Sequence, residues 1–152
     1  MITIGIIIVV IIILPLVLSY RSRLKKEHEI LHEISRIANQ HNCTISKQEL
    51  CGDFAIGIDT KNKFVFFKKK NKFQEYEQLI NLADIKSCTI NNGSKNDKAL
   101  SLLCLVFKPI TKDKPDIELE FYNANSSRQL SGELQSIETW HKLINEQLSH
   151  SK

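Results

Sequence analysis

From Met1 to Leu18 the chain carries no charged side chain, and ten of its first thirteen residues are isoleucine or valine. A run of about 18 apolar residues is what a helix needs to cross a bilayer, at about 1.5 Å per residue. A buried strand does not account for it, because strands typically run to about 4–8 residues. A cleaved export signal wants a basic start, an apolar stretch of about 7–15 residues and a small-residue cleavage site. Here nothing basic precedes Ile2, and the sequence after Leu18 reads Ser19-Tyr20-Arg21. The expectation is an uncleaved transmembrane anchor over residues 1–20, with Pro15 accommodated as spanning helices accommodate proline. Arg21, Arg23, Lys25 and Lys26 follow at once. Basic residues flanking a span stay on the cytoplasmic side. This predicts a single-pass protein of the inner (plasma) membrane, with its N-terminus outside and its C-terminal domain in the cytoplasm.

Residues 21–41 have a helical period. Leu24, Leu31, Ile34 and Ala38, with Ile30 and Ile37 beside them, oppose Lys26, Glu27, Glu29, Glu33 and Arg36. This predicts a basic, amphipathic juxtamembrane stalk, either docked on its own domain or paired with a second copy. The four cysteines, Cys43, Cys51, Cys88 and Cys104, have no C-x-x-C spacing and lie in apolar surroundings. They are expected to be free thiols that act as small hydrophobes.

From Asn42 the period falls to two. Phe54, Ile56 and Ile58 alternate with smaller or polar residues. Asp59-Thr60-Lys61-Asn62 then reads as a turn into Phe64-Val65-Phe66-Phe67, which makes a hairpin. Further strands are expected over Tyr76–Asn81, Ile85–Ile90, Leu100–Phe107 and Ile117–Phe121. Asn91-Asn92-Gly93-Ser94 reads as a break, because Asn and Gly accept positive φ. Leu130, Leu134, Ile137, Trp140, Ile144 and Leu148 then mark one face of a C-terminal helix.

About six or seven antiparallel strands followed by one such helix resemble the pleckstrin-homology-like fold, a bent barrel plugged at one end. The chain more closely resembles an uncharacterised family of bacterial membrane-anchored proteins. The segments that carry this are Cys51-Gly52-Asp53-Phe54-Ala55-Ile56-Gly57-Ile58-Asp59, Leu82-Ala83-Asp84-Ile85-Lys86-Ser87-Cys88 and Leu130-Ser131-Gly132-Glu133-Leu134-Gln135. The resemblance implies an α+β, mostly β architecture with a pleckstrin-homology-like domain over residues 42–152. It implies no activity.

Three constellations invite a functional reading. His28-Glu29-Ile30-Leu31-His32 matches H-E-x-x-H, the zinc-protease spacing that puts two histidines on one helix face. The extended form of the motif wants a histidine where Ala38 stands, so chance polar residues on a helix account for it better. Lys61, Lys63, Lys68, Lys69, Lys70 and Lys72 form the densest basic cluster and could contact anionic lipid headgroups. Solvated strand ends that discourage edge pairing are the competing explanation. Nucleic acid is not expected as a partner, because the phenylalanines fall at inward positions instead of interleaving with exposed basic residues. With only five glycines there is no phosphate loop. The sequence thus leads to an anchored binding or scaffold module without catalysis, metal or cofactor, docking a protein partner or its own copy. Lipid sensing through the lysine hairpin is the alternative, and zinc proteolysis a remote one.

Overall fold

A computed structural model describes residues 2–72, 74–95, 99–126 and 130–150. The side chains at 2–10, 12, 23, 26, 94, 95 and 99 lie outside the described set. The chain opens with one long helix, α1 (Ile2–Gln40). Four strands follow: β1 (Lys47–Cys51), β2 (Phe54–Asp59), β3 (Phe64–Lys70) and β4 (Glu75–Asn81). A single 3-10 turn (Leu82–Asp84) leads to β5 (Ile85–Lys95), β6 (Ala99–Pro109) and β7 (Ile117–Asn123), and α2 (Glu133–Ser149) ends the fold. Neighbouring strands pair antiparallel, in a four-stranded sheet β1-β2-β3-β4 and a three-stranded sheet β5-β6-β7.

The alternation of β2 and β3 explains the layering. Phe54, Ile56, Ile58, Val65 and Phe67 face inward, where they join Leu103, Leu105, Phe107, Leu119 and Phe121 of the second sheet in one core. Phe121 meets Phe54 at a ring-centroid distance of 4.5 Å. Ile137, Trp140, Ile144 and Leu148 of α2 close that core. Ala55 and Phe66 face the other way and are covered by Ile30, Ile34, Ile37 and Ala38 of α1. Of the two arrangements open to the stalk, docking on its own domain is the one observed. Gly57 lets the helix approach, since a Cβ there would lie 3.3 Å from the Ile34 Cγ2 methyl.

Two expectations are corrected. The strands do not form a closed bent barrel: the 3-10 turn after β4 starts a separate sheet, and the backbone ladders stop at β1, β4, β5 and β7. Side chains bridge the sheets instead. The Tyr76 hydroxyl on β4 accepts from the Glu120 amide on β7 at 3.1 Å, and Trp140 of α2 donates to Glu49 of β1 at 2.6 Å.

The second correction concerns the anchor. Among the described residues, no helix is long and apolar enough to cross a membrane. The apolar side chains described on α1 run from Ile11 to Leu18 before Arg21 and Lys25 intervene. The first ten residues of the expected anchor have side chains outside the described set. The transmembrane segment over residues 1–20 is therefore not supported. With it go the single-pass topology, the membrane as an integral partner and the placement at an inner membrane.

Asp59 ends β2 and organises the turn that follows. It is buried and accepts from the amides of Thr44, Lys61 and Asn62 and from Asn62 Nδ2, at 2.7–2.9 Å. Burial pushes its carboxyl pKa up, but these hydrogen bonds outweigh burial and hold it below the ordinary value. A carboxyl whose folded pKa is depressed contributes stability that is fully present above its unfolded pKa of about 3.9. That contribution is lost as pH falls through the lower folded value. Asp59→Asn should therefore be less stable than the parent at pH 7, with a flatter loss of stability under acid. Urea midpoints measured across the acid range check this, and parallel profiles for the two proteins would refute the assignment.

Candidate functional site

β3 ends in Phe67-Lys68-Lys69-Lys70, and strand alternation sends neighbouring lysines to opposite faces. Lys69 points inward and is fully buried. Its Nζ lies 3.0 Å from Glu120 Oε1 and 3.4 Å from Asp53 Oδ1, and it donates to the Glu120 carbonyl at 3.2 Å. The carboxylates are held in turn. Glu120 accepts from Gln74 Nε2 and Asn123 Nδ2, and Asp53 from Asn71 Nδ2, all at 2.8–2.9 Å. Burial raises the Glu120 pKa, but Asn123, Lys69 and Gln74 together bring it below the ordinary glutamate value. Tyr76, beside them, is pushed up to about 12, first by burial. The cluster joins β3 of one sheet to β7 of the other.

Lys68 points outward, also buried, with Glu75 at 2.9 Å and Glu77 at 3.4 Å. Burial lowers its pKa, but the two glutamates outweigh that and hold it above the usual lysine value. Lys70 is half-exposed, 3.7 Å from Glu75. Lys72 is exposed and lines, with Lys70, Asn71, Glu29 and Ile30, a cavity of about 280 Å³ between α1 and the end of β3. Lys61 is exposed in the β2–β3 turn, and Lys63 adopts a left-handed conformation there, with φ 59°. The six lysines thus do not share one face, and Lys68 and Lys69 are engaged internally. On α1, Arg21 and Lys25 are exposed, while the side chains of Arg23 and Lys26 lie outside the described set.

His28 and His32 are exposed on α1, and Glu29 lines the lysine-bearing cavity. Among the described residues no group of three or more His, Cys, Asp or Glu side chains could hold a metal ion. All four cysteines are buried free thiols. Burial pushes Cys88 and Cys104 up to about 12. Cys51 rises to about 11 through burial, then through Glu133, Glu49 and Asp53. Such thiols are protonated at neutral pH and poor nucleophiles. The His141 Nε2 lies 3.2 Å from the carbonyl oxygen of Cys88.

One feature escaped the sequence reading, an open cleft of about 580 Å³ between β1, α1 and the start of α2, lined by Glu27, Glu49, Cys51, Gly52, Gln135 and Ser136 among others. Gly52 (φ 58°) and Gly132 (φ 114°) shape it. A Cβ on Gly52 would lie 2.8 Å from Glu133 Oε1, while the other carboxylate oxygen accepts from the Ser131 amide. The two glycines were visible signals, but nothing in the sequence said they would meet. On α1, Ile11, Ile13, Leu14, Leu16, Val17, Leu18, Tyr20 and Leu24 are exposed, Ile11 to 65% and Leu16 to 64%. The docked half of the helix ends near Ile30, and among the described residues nothing covers these apolar side chains.

In comparisons with known proteins, no family model, no curated protein and no solved structure matches this chain.

The two buried lysines should differ in energetic weight. Lys69→Met strands two inward carboxylates and should cost about 3–5 kcal/mol in urea unfolding, as when one partner of a buried pair is removed. Lys68→Met leaves Glu75 and Glu77 half in water, where such pairs are worth about 1 kcal/mol or less. Equal losses would contradict the assignment of Lys69 as the bridge between the sheets.

Proposed function

We propose that this chain is a non-catalytic docking module that binds a protein partner or a second copy of itself. The observation that carries the reading is the uncovered apolar half of α1. The helix is fixed at one end by Ile30, Ile34, Ile37 and Ala38 in the domain core, and it presents Ile11, Ile13, Leu14, Leu16, Val17, Leu18 and Leu24 outward. Contiguous exposed apolar surface is uncommon on monomeric proteins and marks interaction sites. A helix apolar on all sides is normally buried against something.

The chemistry of the interior points the same way. The thiols at Cys51, Cys88 and Cys104 are shifted away from reactivity, and the H-E-x-x-H histidines are on an exposed helix surface. The lysine hairpin carries no second reading, because Lys68 and Lys69 are spent on internal ion pairs.

Photocrosslinking from position 16 in the full chain, in native extract, tests the proposal. The expected result is one protein species, or a homodimer, recovered near stoichiometry. Changing Ile13, Leu14, Val17 and Leu24 together to Gln should abolish it without moving the urea midpoint. An arm that crosslinks to no protein, recovers lipid alone, or is indifferent to the four substitutions would overturn the reading.

A further inference from the structure

Strand β1 ends its sheet. It pairs with β2 on one side, and among the described residues no strand pairs with the other. Cys51 and Phe54 flank the tight turn at Gly52-Asp53 as ladder partners. In an antiparallel ladder, hydrogen-bonded and non-hydrogen-bonded pairs alternate. Lys47, Glu49 and Cys51 therefore turn their backbone groups toward β2, and Gln48 and Leu50 turn theirs to the free edge. Two open cavities lie in series along this strand. One of about 410 Å³ is lined by Lys47 and Gln48 with Asn39 of α1. The other, the cleft of about 580 Å³ described above, continues along Glu49 and Leu50 to Ser136 of α2.

The second cavity holds a polar group with nothing to bind. Ser136 is 3% exposed, it lines the cleft, and its Oγ has no hydrogen-bond partner among the described residues. A buried hydroxyl left unpaired is costly, and such groups in a cleft mark a place for a ligand atom. The charge around it is negative. Glu49 lines the same cleft, its Oε2 accepting from the Trp140 indole. The Glu133 carboxylate sits against Gly52. The cation of β1, Lys47, belongs to the other cavity and lies 5.9 Å from the Trp140 ring centroid.

We infer that the free edge of β1 receives an extended, basic peptide segment of a protein partner by strand addition. An arginine or lysine side chain of that segment enters the cleft beside Glu49 and donates to Ser136 Oγ. In this mode main-chain bonds to Gln48 and Leu50 give affinity, and the pocket for an alternate side chain gives specificity. The inference rests on the docking reading above and names the chemistry of the partner.

Panning a random dodecapeptide library on the full chain tests it. The expected result is enrichment of sequences with arginine or lysine among β-branched residues, and protection of the Gln48 and Leu50 amides from hydrogen exchange in the complex. Gln48→Pro removes an edge donor at a place where proline is tolerated, and Glu49→Gln removes charge while keeping an acceptor. Each should weaken the enriched peptides about tenfold or more. No enrichment, enrichment of acidic sequences, or unprotected Gln48 and Leu50 amides would each overturn the inference, whatever the proline variant does. A concentration-dependent dimer lost in Gln48→Pro would give the edge to a second copy and overturn the peptide assignment. The photocrosslinked partner separates the two readings. If it survives undiminished in Gln48→Pro, only the edge assignment falls; if no protein crosslinks to the parent chain, the docking reading itself falls.

Discussion

Strand β2 has no solvated face. All six of its residues are buried, and its neighbour β3 is buried from Val65 to Lys69. A two-sided apolar hairpin needs a cover on each side, and the rest of the molecule supplies them. The second sheet and α2 take the inner face, and the C-terminal half of α1 takes the outer one. Gly57 sets the distance on the outer side, and Trp140, the largest fully buried side chain among the described residues, packs on the inner side with its indole N–H satisfied by Glu49. The helix that begins outside the domain thus ends as a structural part of it.

Putting lysines at the end of such a hairpin has a cost, because burying an unpaired ammonium is unfavourable by several kcal/mol. Lys69 is tolerated because Glu120 and Asp53 converge on it, because Asn123 and Asn71 satisfy their other oxygens, and because Gln74 also donates to Glu120 Oε1. The cluster joins the sheets where the backbone ladders do not. This is also why a run that looks basic in one dimension presents no common cationic face in three.

Much of the architecture was readable from period alone. The hairpin of β2 and β3, the strands after it and the apolar stripe from Ile137 to Leu148 all follow from alternation or helical spacing. β1 was missed because Lys47-Gln48-Glu49-Leu50-Cys51 has too little apolar content to announce a strand. Asn91 to Ser94 read as a break, yet β5 runs through them; Gly93 lies so close to Leu102 that a Cβ there would be 3.0 Å from the Leu102 Cβ. Contacts between distant elements, such as Tyr76 of β4 with Glu120 of β7 and Trp140 of α2 with Glu49 of β1, are encoded by no local pattern. The cysteines were legible as buried thiols from their apolar neighbours. The internal pairing of Lys69 was not legible, because a single sequence does not show that Glu120, fifty-one residues away, turns back on it. The cleft beside Ser136 was invisible for the same reason.

The chain therefore has a packed domain, an apolar helical arm that the domain holds at one end, and an open strand edge beside an acidic cleft. This reading depends on the docked half of α1 belonging to the cooperative fold. Hydrogen exchange on the full chain, resolved by residue, tests that most directly. The amides of Ile34, Ile37 and Ala38 should open only with global unfolding, together with those of Ile56 and Phe66, while the arm from Ile11 to Leu24 exchanges faster. Exchange of residues 30–38 ahead of the β2–β3 hairpin would contradict the account. It would show that the outer face of the hairpin does not depend on the helix, and that the domain does not hold the arm.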